Sequence, residues 1–253
     1  MNIYILLLLV IFALFFITII TSLYVRKYAN ADVLVGIYIA FITISQFLAT
    51  RITLFNFGGN ISFAAPAAVI IFPFTFQLTD QVNEKFGRKE THKMIFITFI
   101  TQIFVVFFAW LSTTMLQLNN DIFSADSYNS IFSSSIRITL ASWIAFLFSE
   151  NFDAILYQYI KKITNDKALW VRNVVSDIIS LLIDSIIFVP LAFAGIYPWM
   201  GEFSILTIII GQVITKWIFG LLDTPAIYLS RWLMYGELDE KIPILKKFSP
   251  IKN

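Results

Sequence analysis

Seven stretches of roughly 20 or more mainly apolar residues, each long enough to cross a bilayer, fall near 3–25, 32–54, 62–84, 93–117, 131–161, 172–197 and 203–232. Hydrocarbon offers the backbone no hydrogen-bond partner, so segments of this length satisfy their own N–H and C=O groups as α-helices and pack as a bundle. The composition agrees: 58% hydrophobic and 17% aromatic residues stand against 13% charged, with a mean hydropathy of +0.81. The expected fold is all-α, a polytopic membrane helical bundle of about seven transmembrane helices. It forms a single integral membrane domain over 1–253, divided into an additional N-terminal helix (1–30), a core (31–235) and a C-terminal tail (236–253).

The first stretch has no basic residue ahead of its apolar run and closes on Arg26 and Lys27, so it reads as a retained helix and not as a cleaved leader. No repeat or Gly/Ser-rich linker is visible, and the polar connection 117–135 reads as a loop. Cysteine is absent, which excludes disulfides and thiolate metal sites. His92, the single histidine, stands beside Lys93 at a helix entrance and reads as an interfacial residue. No catalytic group, cofactor or metal is expected, although the carboxylates leave an all-oxygen metal site open.

Orientation follows the basic residues. Arg26 and Lys27 follow the first stretch, Lys85, Arg88, Lys89 and Lys93 the third, Lys161, Lys162, Lys167 and Arg172 the fifth, and Arg231, Lys241, Lys246, Lys247 and Lys252 mark the C-terminus. This alternation places the N-terminus outside and the C-terminus in the cytoplasm of a cell-membrane protein. Anionic lipid accounts for the basic loops, so membrane lipid is the expected partner and nucleic acid is not.

Ionisable groups inside the apolar stretches carry the functional signal, because each costs about 2.5 kcal/mol or more at the bilayer centre unless it faces a partner or a wet cavity. Asn173, Asp177, Ser180 and Asp184 recur at offsets of four, three and four, one face of a helix. Gln212, Lys216 and Asp223 form a second stripe, Thr43, Gln46, Thr50 and Thr53 a third, and Gln77, Asp80 and Glu84 a fourth. At about 1.5 Å rise per residue, Asp184 and Lys216 sit near the middle of antiparallel spans and can meet there. Glu150 falls slightly toward the cytoplasm, and Asp80, Asp153, Asp177 and Asp223 deeper on that side. Pro73 and Pro190 are expected to remove hydrogen bonds within their helices. Each feature has a structural reading: Asp184 with Lys216 as a packing ion pair, Gln46 and the threonines as interhelical bonds, Arg137 as a residue snorkelling to headgroups, and the Glu84 region as an interface. None of these explains the surplus of acidic groups, which must take up protons or await a cationic or hydrogen-bond-donating substrate.

The stretch FPFTFQLTDQVNEKFGRK (72–89) resembles a signature of the queuosine precursor transporters, also called the vitamin uptake transporter family. Four further stretches resemble that family in the same order: ISQFLATRI from 44, Arg137 with Ala141, Ser142, Ala145 and Asp153, Trp170 with Arg172, Ser176, Asp184, Ser185 and Phe188, and Lys216 with Asp223, Thr224 and Pro225. The likeness spans about 35–232, six family-like helices, and leaves the first helix outside it. Glu150, Gln46 and Ser180 depart from the family's usual glutamine, asparagine and glutamine. The resemblance implies an all-α carrier, with a fold like the substrate-binding subunits of vitamin importers, for 7-deazaguanine precursors of queuosine or archaeosine such as the cyano and aminomethyl forms. With that cargo, Asp80, Asp184 and Glu150 would accept ring N–H groups or couple protons, Lys216 would meet a carbonyl or orient a carboxylate, and Phe72, Phe76 or Trp143 would stack. Gln46 completes the expected binding set. Asp153, Asp177, Asp223 and Arg137 are the candidates for proton coupling or gating.

No phosphate-binding loop is present, so energy comes from a gradient or from a separate ATPase module, the second making the chain a binding subunit of an ATP-driven importer. A homodimer also stays open. A retinal-binding photoreceptor with Lys216 as Schiff base lacks the acidic residue one turn earlier, where Gln212 stands. An intramembrane enzyme lacks a nucleophile and base to pair.

Overall fold

The computed structural model of the chain describes residues 3–58, 61–115, 128, 132, 135–165, 169–194 and 205–235, with the side chains of 135–137 and 172 excepted. Most of the 117–135 connection, the 236–253 tail and Lys167 lie outside the described residues. The helices are α1 (Ile3–Tyr28), α2 (Asp32–Leu48), α3 (Phe72–Phe86), α4 (Arg88–Thr113), α5 (Ser135–Ile163), α6 (Leu169–Phe193), α7 (Ile205–Gly220) and α8 (Thr224–Tyr235). Four segments are long and apolar enough to span a membrane: α1, α4, α6, and α7 with α8 taken as one crossing. The helical membrane bundle expected from the seven apolar stretches is what forms.

The outer faces of these helices carry apolar side chains, as lipid contact requires. On α1, Leu8 and Phe12 are 67% and 72% exposed, while Val10, Leu14, Thr18, Thr21, Ser22 and Val25 recur at helical spacing and are buried. That buried stripe lies on α8 and α3, where the Ser22 hydroxyl donates to Ser230 (3.1 Å) and the Thr21 hydroxyl to Gln81 (2.9 Å). The core has no such asymmetry: every residue of α3 from Pro73 to Glu84 is buried. α3 is therefore the axis of the bundle, shielded from lipid by its neighbours, and its polar residues can only face protein.

Three expectations need correction. Residues 49–71 are not helical extensions of the second and third spans. β1 (Ile52–Asn56) and β2 (Ser62–Pro66) form an antiparallel hairpin with Leu54 opposite Ala64, followed by a 3-10 turn, Ala67–Ile71. The β-branched Ile52 and Thr53, the aromatic Phe55 and Phe57 and the glycine pair at 58–59 favour this arrangement. Thr53 thus leaves the helical stripe of Thr43 and Gln46. Pro73 lies in the first turn of α3, where its missing N–H breaks no helical bond, whereas Pro190 is inside α6 as expected. The seventh stretch breaks at 221–223, and Pro225 opens α8.

The hairpin packs directly on α7. A Cβ added to Gly211 would lie 2.5 Å from the Ala64 carbonyl oxygen, so a side chain there would force the strand away. Gly87, at φ +81°, makes the sharp turn from α3 to α4 that a residue with a Cβ would resist.

Candidate functional site

The interior polar groups come from α2, α3, α5, α6, α7 and the α7–α8 break, and they fall into a sequence of levels along α3. At the first level Lys216 of α7 and Asp184 of α6 form a buried ion pair, with Lys216 only 1% exposed. The ammonium lies 3.7 Å from the centroid of the Phe72 ring, a cation–π contact in a desolvated setting. A cavity of about 30 Å³ beside the pair is bounded by Ser45, Phe72, Ser142, Asp184, Gln212 and Lys216, and has room for roughly one water molecule. Oε1 of the buried Gln212 has no hydrogen-bond partner.

About two turns along α3 from Phe72, Glu150 of α5 accepts hydrogen bonds from the Tyr38 hydroxyl of α2 (2.6 Å) and the Thr79 hydroxyl of α3 (3.1 Å), both on Oε2. Gln77, fully buried on α3, has no partner among the described residues for either of its amide atoms. A buried amide left without partners is costly, about 1–3 kcal/mol for each unmet group.

Below this level Asp80 of α3, Asp153 of α5 and Asp177 of α6 converge, each offering a carboxylate oxygen within 4.8 Å of the others. The Asn173 amide donates to Asp80 and, at 3.3 Å, to Asp177, and the Ser180 hydroxyl donates to Asp153 at 3.0 Å. Asp223, at the break between α7 and α8, is also fully buried, and among the described residues neither of its oxygens has a partner in hydrogen-bond geometry.

The basic residues assemble at the far end. Glu84, at the end of α3, accepts from Lys161 Nζ (3.1 Å) and the Tyr157 hydroxyl (3.1 Å) on Oε2, and Arg231 lies 3.4 Å from Oε1. The Tyr235 hydroxyl and Lys161 both reach the Glu84 carbonyl at 3.3 Å. Lys85 stands 4.0 Å over the Tyr235 ring. α3, α5 and α8 are tied together there by charge-assisted bonds.

The other predicted residues are placed apart from the Lys216 cavity. Gln46 is buried in a separate cavity of about 30 Å³ with Gln102, Thr139 and Trp110. Phe76 is buried and its ring lies 6.3 Å from that of Phe72. Trp143 meets Phe99 of α4 edge to face, with ring centroids 5.8 Å apart. The Arg137 side chain lies outside the described residues. His92 bonds Asn151 of α5 through Nδ1 and so joins two helices. Sequence reasoning passed over Tyr38, Thr79 and Gln102. The available signal for Tyr38 was its spacing of eight from Gln46, one face of α2 along with the buried Leu34 and Ile42.

A helical bundle that turns carboxylates, amides and a lysine inward and apolar side chains toward lipid has the build of a multi-pass membrane transporter. Residues 66–230 match the family described as "Putative vitamin uptake transporter". Over 199 residues the chain is 30% identical to the "Probable queuosine precursor transporter" of Bacillus subtilis (strain 168), covering 77% of this chain and 82% of that protein. The chain belongs to this vitamin uptake transporter family. No solved structure matches it.

Proposed function

We propose that the chain imports 7-deazaguanine precursors of queuosine across the cell membrane, with its N-terminus outside and its C-terminus in the cytoplasm. The reading is supported by the family and the printed name of the Bacillus subtilis relative, and by one observation above others: a buried lysine–carboxylate pair beside an aromatic face and unsatisfied amides. A guanine-like edge presents adjacent N–H donors that a carboxylate accepts in pairs, next to a carbonyl that an ammonium or amide donates to. In the free protein Asp184 and Lys216 satisfy each other. Cargo would separate them, Asp184 taking ring N–H groups and Lys216 the carbonyl, with Phe72 against the ring and Gln212 and Gln77 gaining the partners they lack.

The cavity of about 30 Å³ is far below the roughly 300 Å³ of typical small-molecule sites, so this is a closed conformation and the helices must part to admit cargo. Glu84 with Lys161 and Arg231 forms the cytoplasmic closure in this reading, and the hairpin against Gly211 lies toward the opposite side. Asp80, Glu150 and Asp153 connect the two levels. Transport needs no phosphate-binding loop of the chain's own if a gradient drives it; the alternative, a separate ATPase, makes this chain a binding subunit. Proteoliposomes containing the purified chain alone should accumulate the cyano or aminomethyl 7-deazaguanine. Accumulation that appears only on adding an ATPase module would favour the subunit reading, and failure to bind either compound would end the cargo assignment.

A further inference from the structure

The lower carboxylate group has a different chemistry from the lysine–aspartate level. In each of Asp80, Asp153 and Asp177 one oxygen is held by a donor, Asn173 or Ser180, and the other oxygen has no hydrogen-bond partner among the described residues. That is how outer-shell donors orient carboxylates toward an ion. One oxygen from each of the three lies within 4.8 Å of the others, and oxygens on opposite sides of a cation bound at about 2.4 Å are separated by the same span.

An independent observation comes from Asp223. Its carbonyl accepts the first helical bond of α8, from the Ile227 N–H at 2.9 Å, which makes it the N-cap residue. An aspartate there normally turns its carboxylate back to the free amides of the first turn. Here the carboxylate is fully buried, forms no such bond among the described residues, and lies beside Asp177 and Asn173. A side chain that forgoes its local partner and adds a fourth carboxylate to three others calls for a shared proton or a cation between them, and the free oxygens converging within a cation's span favour the cation. Among the described residues no lysine or arginine pairs with any of the four: Lys216 is committed to Asp184, and Lys161 and Arg231 reach Glu84.

We propose that Asp80, Asp153, Asp177 and Asp223 bind a hard metal cation, sodium or a divalent ion, held through carboxylate oxygens and positioned by Asn173 and Ser180. The site joins α3, α5, α6 and the α7–α8 break, so occupancy fixes the helices that also carry Asp184 and Lys216. Its use as the coupling ion of transport rests on the carrier reading; its existence does not.

The test is the thermal unfolding midpoint of the purified full-length chain in choline chloride, titrated at constant ionic strength and pH with sodium, potassium, magnesium or calcium, with binding of 7-cyano-7-deazaguanine measured in the same buffers. The expected result is a saturable rise of several degrees with sodium, magnesium or calcium, absent in Asp223→Asn and Asp177→Asn and retained in Glu90→Gln, a surface control. Should Asp177→Asn fail to fold, Asp223→Asn and Ser180→Ala carry the comparison, the second weakening cation affinity by at least several-fold. A midpoint that is the same in all salts, that follows pH alone, or that rises equally in Asp223→Asn overturns the site. Deazaguanine binding with no cation effect sinks this inference and leaves the carrier reading standing; a cation effect with no deazaguanine binding does the reverse.

Discussion

Among the described residues Lys216 and Asp184 are each other's ion-pair partner in the desolvated interior, so removing one charge leaves the other buried without its counter-charge. Asp184→Ala or Lys216→Ala should each lower stability by about 3–5 kcal/mol. The double variant Lys216→Met with Asp184→Leu should recover most of that loss, since an apolar pair of similar volume avoids both desolvation costs. Deazaguanine binding should stay lost in the double variant, although denaturant unfolding looks near normal. Recovery of binding together with stability would reduce the pair to packing. The Tyr38 hydroxyl offers a finer test: Tyr38→Phe removes the 2.6 Å bond to Glu150 and should cost about 1.5–3 kcal/mol if the carboxylate is ionised. The meeting of Asp184 and Lys216 was legible in the sequence because depth along a regular helix is simple arithmetic. Gln46 and Trp143 show where that arithmetic stops, since a stripe fixes a face but not the neighbour it meets. Gln46 shares a cavity with Gln102 and Trp143 meets Phe99, neighbours on α4 that no spacing within α2 or α5 specifies.

At the scale of elements, the hairpin and the helix break were the features a twenty-residue window concealed. Residues 52–66 are apolar enough to extend the neighbouring spans, and only the local chemistry, β-branched residues around a glycine pair, marks a turn. Pro225 likewise signals a helix start that the apolar average hides. The hairpin's contact with α7 depends on the absence of a side chain at Gly211. Gly211→Val should therefore displace β2 and destabilise the protein by about 1–3 kcal/mol, measured by unfolding in detergent. Wild-type stability for this variant would mean that the strand does not sit on α7. The opposite end is held by Glu84. Because the chain has no cysteine, a single Ser180→Cys reports access to the interior cleanly. Adding Glu84→Gln should speed its labelling by a small thiol reagent applied from the cytoplasmic side several-fold; an unchanged rate would show that this charge cluster is not the closure.

For the molecule as a whole, the apolar lengths and the polar stripes made the bundle and its polar interior legible, because lipid tolerates no other arrangement of such segments. The packing order was not legible. Nothing in its own pattern says that α3, which carries Gln77, Asp80 and Glu84, would become the buried axis, since that depends on its neighbours closing around it. Orientation gives a prediction at this scale: in intact cells, Asn56→Cys in the hairpin should react with a membrane-impermeant maleimide, and Asn30→Cys between α1 and α2 should react only after permeabilisation. The reverse pattern would invert the assigned topology. The carrier reading itself is tested most directly by equilibrium binding of 7-cyano-7-deazaguanine to the purified wild-type chain and to Asp184→Asn, using guanine as the competing base. Saturable binding by the wild type, weakened at least tenfold by Asp184→Asn, is the predicted result. Equal binding by both proteins, or none by the wild type, would contradict a cargo held by the buried carboxylate.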